Sequence, residues 1–387
     1  MNLLPRIVLF AFGLSLVPGL LAAVLAVVAT TAAGRTFGVA GAGAVVALGL
    51  LLGSFVARRP EVARPARRSG AAVGLIAALL LLHPQPSPGE HAGAIESHWL
   101  GSAQPLRWSS ARRVPERDQF ELGARIVFLD PLVDGAKAKR IRRLFGAVYD
   151  EGANTPGFRA LSGAMPHAYR ELWGAPWRSD HLFVQAPDGP GPHPTVLFVH
   201  GSAGNFKGYQ VVLGALRDRG WAVVSPSFGF GNWWREGGTT TLAQALDFVD
   251  DDPRLDGSRV AMAALSNGGC AITRSSVELA DRLQGVAWLS GIVELDRLDE
   301  VAEAYRGRPT WLLHGDEDAR IPVSIARRGA EALGEGARLV EVPGEDHFLF
   351  FSDRPASVRF LDEFLTASVG SLRGAVPDDV PRGTDSR

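Results

Sequence analysis

The sequence is poor in the residues that build disulfide frameworks and metal centres. Its 387 residues include one cysteine, Cys270, so no intramolecular disulfide can form. This cysteine lies one helical turn after Ser266 and is predicted to be a small buried apolar side chain. No group of His, Cys and Glu has metal-ligand spacing, and no glycine-rich loop carries the Lys and Ser or Thr of a phosphate cradle. We therefore expect neither a metal nor a cofactor.

The sequence also has no large excess of positive or negative charge. The formal net charge is −1, and no basic face with interleaved aromatic residues is present. Proteins that bind nucleic acids usually present such a face to the phosphate backbone. The sequence therefore argues against a nucleic-acid partner.

Long apolar stretches, by contrast, are concentrated at the start of the chain. They lie at about residues 7–31, 37–57 and 70–82. A cleaved signal peptide would not be followed by two more apolar stretches, so residues 1–83 are predicted to be a transmembrane anchor. The first two stretches are long enough to span a bilayer. The third provides about 20 Å of helix against a hydrocarbon core of about 30 Å, so it either crosses with local thinning or enters partway.

The arginines between these stretches predict the orientation of the anchor. The link between the second and third stretches contains Arg58, Arg59, Arg64, Arg67 and Arg68, whereas the first link contains only Arg35. Positive side chains favour the cytoplasmic side of a membrane. Three crossings would then place the rest of the chain outside the cytoplasm, and two crossings would place it inside. The arginine-, alanine- and glycine-rich composition indicates a high-GC bacterium, so we expect the inner membrane and an extracytoplasmic domain.

Residues 84–178 are predicted to be a linker and an N-terminal extension, without a catalytic motif. A basic amphipathic helix is predicted over residues 136–149. Its basic residues are Lys137, Lys139, Arg140, Arg142 and Arg143. This helix either lies on anionic lipid headgroups or is an ordinary solvated surface helix. Residues 374–387 are predicted to be a disordered tail.

Residues 179–373 alternate between predicted strands and helices, which is typical of a mostly parallel sheet covered on both faces. The segment Ala264-Leu265-Ser266-Asn267-Gly268 ends one strand and begins a helix. A sharp turn there lifts the serine hydroxyl clear of the backbone, and small residues two positions before and after it let strand and helix pass closely. The pattern alone also fits an ordinary strand-to-helix turn, because Gly and Ala are abundant here.

Three further turns follow predicted strands. Pro194–Val199 leads into the turn His200-Gly201-Ser202-Ala203-Gly204, Pro309–Gly315 leads to Asp318, and the strand at 338–344 leads to His347. The order along the chain is serine, acid, histidine, and both partners lie just past the carboxyl end of a strand. Asp316 and Glu317 are alternative acids beside Asp318. His200 and His314 are predicted to hydrogen-bond loop backbone rather than act as bases.

With these motifs in this order, the chain resembles the α/β-hydrolase superfamily. It is most similar to the dienelactone hydrolase and prolyl-oligopeptidase-like branch, whose elbows often read Ser-x-Gly-Gly, as Ser266-Asn267-Gly268-Gly269 does here. The resemblance implies an α/β-hydrolase fold after two or three transmembrane helices. It also implies that Ser266 is the nucleophile, His347 the base and Asp318 the acid, with the oxyanion hole formed by backbone N–H groups of Ser202 and Asn267.

An aromatic, glycine-rich loop precedes the serine turn. Its rings are Phe228, Phe230, Trp233 and Trp234. Because the loop lies at the same edge of the sheet as the other turns, these rings either form an apolar wall for substrate or pack against the N-terminal extension.

These features predict a membrane-anchored serine hydrolase that acts on a carboxylic ester or related acyl bond of a small-molecule or lipid-like substrate. No propeller-like repeat or large cap domain precedes the motifs, which favours an esterase over a peptidase. A peptidase or an acyltransferase would use the same triad. The alternative to an enzyme is a membrane-tethered binding or scaffold protein with an inactive hydrolase fold.

Overall fold

The computed structural model describes residues 3–57, 59–83, 89–101, 113–126, 130–161, 163 and 181–370. Arg58, the tail predicted at 374–387 and the remaining parts of the predicted linker lie outside these residues. The described part contains an N-terminal helix bundle, an extension and an α/β domain.

Three helices form the bundle, and consecutive helices pack against each other. They are α1 (Leu3–Val28), α2 (Ala32–Val56) and α3 (Pro60–Leu82). Among the described residues, α2 and α3 are each long and apolar enough to cross a membrane, and Phe12–Val28 is a shorter apolar helix. Helix α3 begins at Pro60 rather than at residue 70, with proline in its first turn, where a backbone N–H is not needed. At 1.5 Å per residue, α3 is about 34 Å long, and its charged residues, among them Arg64, Arg67 and Arg68, lie in its first half.

The α/β domain is built on a sheet of nine described strands in the order β1-β2-β3-β5-β4-β6-β7-β8-β9. Three pairs at one side of the sheet are antiparallel, namely β1 with β2, β2 with β3 and β3 with β5. All other pairings, from β5 through β4 to β9, are parallel. The strands are β1 (His91–Ala92), β2 (Ile95–Trp99), β3 (His181–Gln185), β4 (His193–Val199), β5 (Ala222–Pro226), β6 (Leu255–Leu265), β7 (Val286–Leu289), β8 (Thr310–Gly315) and β9 (Ala337–Val342). We call the edge where β4 to β9 end the carboxyl edge.

Helices cover both faces of this sheet, and the strands are apolar on both sides. In β4, Val196 and Phe198 belong to one core, while Leu197 and Val199 belong to the other. Alternate side chains of a strand point to opposite faces, so a strand buried on both faces reads as a continuous apolar run. The described helices of the domain are α6 (Lys207–Arg217), α7 (Gly238–Asp251), α8 (Leu298–Ala304), α9 (Val323–Leu333), α10 (Leu349–Ser352) and α11 (Arg354–Val369), and residues 266–282 form a further helical segment of mixed geometry.

The extension packs on the α/β domain. It contributes β1 and β2 to the sheet and the helices α4 (Glu116–Ile126) and α5 (Gly135–Ala153). Phe145 of α5 has its ring centroid 4.8 Å from that of Phe120, 6.0 Å from that of Phe206 and 4.9 Å from that of Phe351. The basic helix predicted at 136–149 therefore buries its apolar face against the α/β domain.

Strand order, strand directions and the strand–turn–helix at Ser266 define the α/β-hydrolase fold, preceded by apolar helices. The predicted fold class is confirmed.

Candidate active site

Ser266 lies at the tip of the sharp turn between β6 and the helical segment 266–282. Its backbone φ is +53°, a left-handed conformation that is uncommon for a residue with a side chain. Small neighbours make the turn possible. A Cβ at Gly268 would lie 2.7 Å from the Val199 carbonyl oxygen, and one at Gly201 would lie 2.9 Å from the Ser266 Cβ. The serine turn therefore requires glycine at position 268, and the neighbouring turn requires glycine at position 201.

His347 follows β9 and lies next to this serine. Its Nε2 is 2.9 Å from the Ser266 Oγ, and its Nδ1 is 2.8 Å from the Asp318 Oδ2. The imidazole thus links a hydroxyl on one side to a carboxylate on the other. A histidine in this position can take a proton from the hydroxyl while the carboxylate stabilises the imidazolium that forms.

Asp318 is held in the loop after β8. Its Oδ1 accepts hydrogen bonds from the backbone N–H groups of Arg320 and Ile321, at 2.8 and 2.9 Å. Burial by itself raises the pKa of Asp318, but hydrogen bonds from His314 and His347 outweigh it, so this pKa lies well below its usual range. The carboxylate is therefore ionised at neutral pH.

Asp316 and Glu317, the alternatives to Asp318 as the acid, have other partners. The Asp316 Oδ1 accepts the Gly344 backbone N–H at 2.7 Å, and Glu317 forms an ion pair with Lys137 at 3.5 Å. His314 is buried, and its Nε2 donates to the Ile321 carbonyl oxygen at 2.6 Å while lying 3.4 Å from the Asp318 Oδ2. His314 therefore supports the acid loop from within the sheet.

Ser202 and Asn267 also come together beside the serine. The Asn267 Nδ2 donates to the Ser202 Oγ at 2.6 Å, which connects the turn after β4 to the turn after β6. Ala203, in the first of these turns, has a φ of +77°. Two turns fixed in this way can direct backbone N–H groups at one point.

The aromatic loop is divided between core and surface. The Phe228 backbone N–H donates to the His200 Nε2 at 2.9 Å, and the Trp233 Nε1 donates to the His200 carbonyl oxygen at 2.9 Å. Burial lowers the pKa of His200 to about 4, so this ring is neutral at physiological pH. Phe228 and Trp233 are fully buried in the domain core, which corrects their predicted place in a substrate wall. Phe230 is partly exposed, and Trp234 is 41% exposed.

The extension contacts the loops that carry Asp318 and His347, which the sequence did not predict. Arg140 of α5 pairs with Glu345, Lys137 pairs with Glu317, and Asp130 pairs with Arg320. Each partner lies within two residues of Asp318 or His347. The signal in the sequence was the basic helix itself, which pairs with these acidic loops instead of only facing water.

Two remaining observations limit the chemistry. Cys270 is buried, and burial raises the pKa of its thiol to about 12, so the thiol is not a ready nucleophile. Within the described ranges, no group of three or more His, Cys, Asp or Glu side chains is placed to hold a metal ion.

Neither a protein-family model nor a curated protein matches the chain. Among solved structures, the chain is similar to Est1E from Butyrivibrio proteoclasticus, with 15% identity, a TM-score of 0.41, and coverage of 49% of this chain and 95% of that one. Dienelactone hydrolase from Anabaena variabilis has 21% identity, a TM-score of 0.39, and coverage of 49% and 92%. The esterase Est2 from Thermogutta terrifontis has 16% identity, a TM-score of 0.39, and coverage of 53% and 90%.

Proposed function

We propose that this protein is a membrane-anchored serine hydrolase that cleaves a carboxylic ester or a related acyl bond. The observation that carries the proposal is the continuous contact from the Ser266 Oγ through the His347 imidazole to the Asp318 carboxylate, at 2.9 and 2.8 Å. A serine in a strained turn, a histidine within reach and an ionised acid behind it together make an activated nucleophile.

In the proposed mechanism, the Ser266 Oγ attacks the acyl carbon while the His347 Nε2 takes its proton. The Asp318 Oδ2 accepts the Nδ1–H, which fixes the tautomer and stabilises the imidazolium. The backbone N–H groups of Ser202 and Asn267 would stabilise the oxyanion of the tetrahedral intermediate. His347 then protonates the departing alkoxide as the carbon–oxygen bond breaks. A water molecule, deprotonated by His347, cleaves the acyl-enzyme and releases the carboxylic acid.

An ester is favoured over a peptide because the partly exposed rings at the site, Phe230 and Trp234, offer apolar contact. Transfer of the acyl group to an alcohol other than water would use the same residues.

The anchor is proposed to place the α/β domain outside the cytoplasm. The carboxyl end of α3 lies against the extension, because the buried Arg113 of the extension donates to the carbonyl oxygens of Leu80 and His83. The link between α1 and α2 lies on that same side, where Thr30 contacts Asp118. The link between α2 and α3 and the arginine-rich start of α3 are then on the opposite, cytoplasmic side. These contacts support three crossings.

The proposal is tested by labelling purified membranes with a fluorophosphonate probe. We expect labelling of the wild type and of Ser258→Ala, a matched surface serine, and no labelling of Ser266→Ala or His347→Ala. Absence of labelling in the folded wild type would refute the assignment and favour a binding or scaffold role. Retained ester hydrolysis by Ser266→Ala would equally exclude Ser266 as the nucleophile.

A further inference from the structure

A buried carboxylate joins the extension to the link between the first two helices. Asp118 is fully buried, and its Oδ1 accepts hydrogen bonds from the backbone N–H of Thr30 at 2.7 Å and from the Thr30 Oγ1 at 2.9 Å. Its Oδ2 accepts one from the Thr31 Oγ1 at 2.5 Å. Thr31 is also the N-cap of α2, so the carboxylate lies at the positive end of a helix. Each of these contacts holds the extension against the membrane bundle.

Gly34 leaves the space that this carboxylate occupies, since a Cβ there would lie 2.2 Å from the Asp118 Oδ2. Apolar packing surrounds the contact, with Leu25 and Ala29 of the bundle against Val114 of the extension. The position of the α/β domain above the bundle is therefore defined by hydrogen bonds and packing, not only by a tether.

The same turn of α4 reaches the carboxyl edge of the sheet. The Glu116 Oε1, two residues before Asp118, accepts the Lys207 backbone N–H at 2.6 Å and the Tyr149 hydroxyl at 2.6 Å. Lys207 is the first residue of α6, and in a parallel sheet the helix after a strand begins at the carboxyl edge. Ser266 is at this edge too. The membrane bundle therefore meets the domain on the side that carries the candidate active site.

In the described part of the α/β domain and extension, the strongly exposed large apolar side chains lie at that same edge. Between residues 89 and 370, leaving aside the parts that the structure does not describe, the large apolar side chains with more than a third of their surface exposed are Leu132 and Trp234. Leu132 follows Asp130, which pairs with Arg320 beside the acid loop. Trp234 ends the loop whose Gly231 packs against the Gly201 carbonyl oxygen. Tryptophan is enriched where proteins meet the membrane interface.

We propose that the carboxyl edge faces the membrane surface and that the substrate is an acyl ester of a membrane lipid, presented from the leaflet on that side. This rests on the proposed function, whose chemistry it leaves unchanged. The ester carbon is attacked by Ser266, the lipid alcohol leaves with a proton from His347, and water completes release of the fatty acid. Leu132 and Trp234 enter the interface, so an ester at headgroup depth reaches the serine without leaving the bilayer.

The test uses the full chain reconstituted in phosphatidylcholine vesicles and two substrates. One is a water-soluble short-chain nitrophenyl ester, and the other is a fluorogenic long-chain acyl ester embedded in the same vesicles. We expect both to be hydrolysed by the wild type. Asp118→Ala should lower hydrolysis of the embedded ester by about tenfold, because the edge is no longer held at the surface, while changing soluble-ester hydrolysis less than about twofold. The control is Asp150→Ala, which removes a surface ion pair between Arg117 of α4 and Asp150 of α5. It should change hydrolysis of neither ester.

Hydrolysis of the soluble ester alone, or equal loss of both activities in a folded Asp118→Ala protein, would overturn the lipid assignment. If the wild type hydrolyses neither the soluble nor the embedded ester, the result counts against the proposed function instead. A second measurement does not depend on activity. In a Cys270→Ser background, spin labels at positions 132 and 234 should be accessible to oxygen and shielded from a water-soluble nickel complex, whereas a label at exposed position 303 on α8 should show the reverse. Water exposure of all three labels would refute the orientation.

Discussion

Arg140 and Glu345 join the extension to the loop that carries the candidate base. The Arg140 Nη2 lies 3.0 and 2.9 Å from the two carboxylate oxygens of Glu345, which is two residues before His347. The Ser352 hydroxyl donates to the same carboxylate from α10. The ion pair thus connects a helix outside the sheet to a loop at its carboxyl edge. We infer that the extension positions the imidazole as well as covering the core.

Replacing Arg140 by alanine should therefore affect turnover more than stability. The ion pair is only partly exposed and should contribute about 1 kcal/mol to the free energy of unfolding, so the protein should remain folded. A displacement of the His347 loop by about 1 Å can lower catalysis by up to about 100-fold. We expect kcat for a soluble ester to fall severalfold at unchanged KM. Steady-state kinetics and thermal unfolding of the purified protein measure the two effects.

Arg354→Ala is the matched control for Arg140→Ala. Arg354 pairs with Glu151, which lies near the end of the same helix α5, and neither residue is a partner in the Arg140–Glu345 ion pair. It should change stability by a similar small amount and leave kcat unaltered. Equal kinetic effects of the two variants would mean that Arg140 has no positioning role. Partial recovery of kcat in the Arg140→Glu, Glu345→Arg double variant would support the pairing.

Asp318→Asn should lower kcat by about 10³- to 10⁴-fold, because an amide cannot stabilise the imidazolium and permits the wrong tautomer. The buried position and the backbone donors of Arg320 and Ile321 remain compatible with an amide oxygen, so the fold should persist. Asp316→Asn is the control, since Asp316 bonds the Gly344 backbone instead. Full activity of Asp318→Asn in an ester assay would exclude Asp318 as the acid.

The local patterns of the sequence were sufficient for the part of the fold that carries the candidate site. Each strand that leads to one of its turns was a short apolar run that ended in a turn residue, and the four turns came in a fixed order. Ser266, Asp318 and His347 could therefore be proposed together, although Ser266 and His347 are 81 residues apart. Their proximity follows from the parallel sheet, which brings the carboxyl ends of neighbouring strands to one edge.

The contacts of the extension could not be predicted in this way. Arg140 and Glu345 are 205 residues apart, and nothing in a basic helix specifies which acidic loop it will meet. Phe228 and Trp233 looked like surface rings because they lie in a glycine-rich loop, yet they are buried against the His200 turn. Side-chain burial in a loop depends on tertiary packing, which neither periodicity nor turn chemistry records.

Gly201→Ala tests how closely the turn after β4 must approach the serine. The new Cβ would lie 2.9 Å from the Ser266 Cβ and 3.1 Å from the Leu265 carbonyl oxygen, so one of the two turns must shift. We expect kcat to fall by about 100-fold from this displacement. Gly146→Ala is the control, because a Cβ there meets nothing within 4 Å and alanine favours the helix. Unchanged kcat and fluorophosphonate labelling in Gly201→Ala would show that the turns tolerate wider spacing.

Glu116 should make the stability of the folded chain depend on pH. Burial raises the pKa of this carboxyl, against the opposing effects of Lys207 and Tyr149, so the folded state binds its proton more tightly than the unfolded state does. The resulting contribution to stability is complete below the unfolded pKa of about 4.3 and is lost as pH rises through the raised folded pKa.

Glu116→Gln should remove this dependence, because the amide does not titrate while its carbonyl oxygen can still accept the Lys207 N–H and the Tyr149 hydroxyl. The thermal midpoint of the wild type relative to the variant should therefore fall as pH increases above about 4.3. Glu151→Gln, on the exposed face of α5, provides the baseline for removal of one carboxylate. A wild-type midpoint that rises relative to Glu116→Gln over the same pH interval would mean that the buried carboxyl is stabilised in its ionised form, as a charged cap on α6.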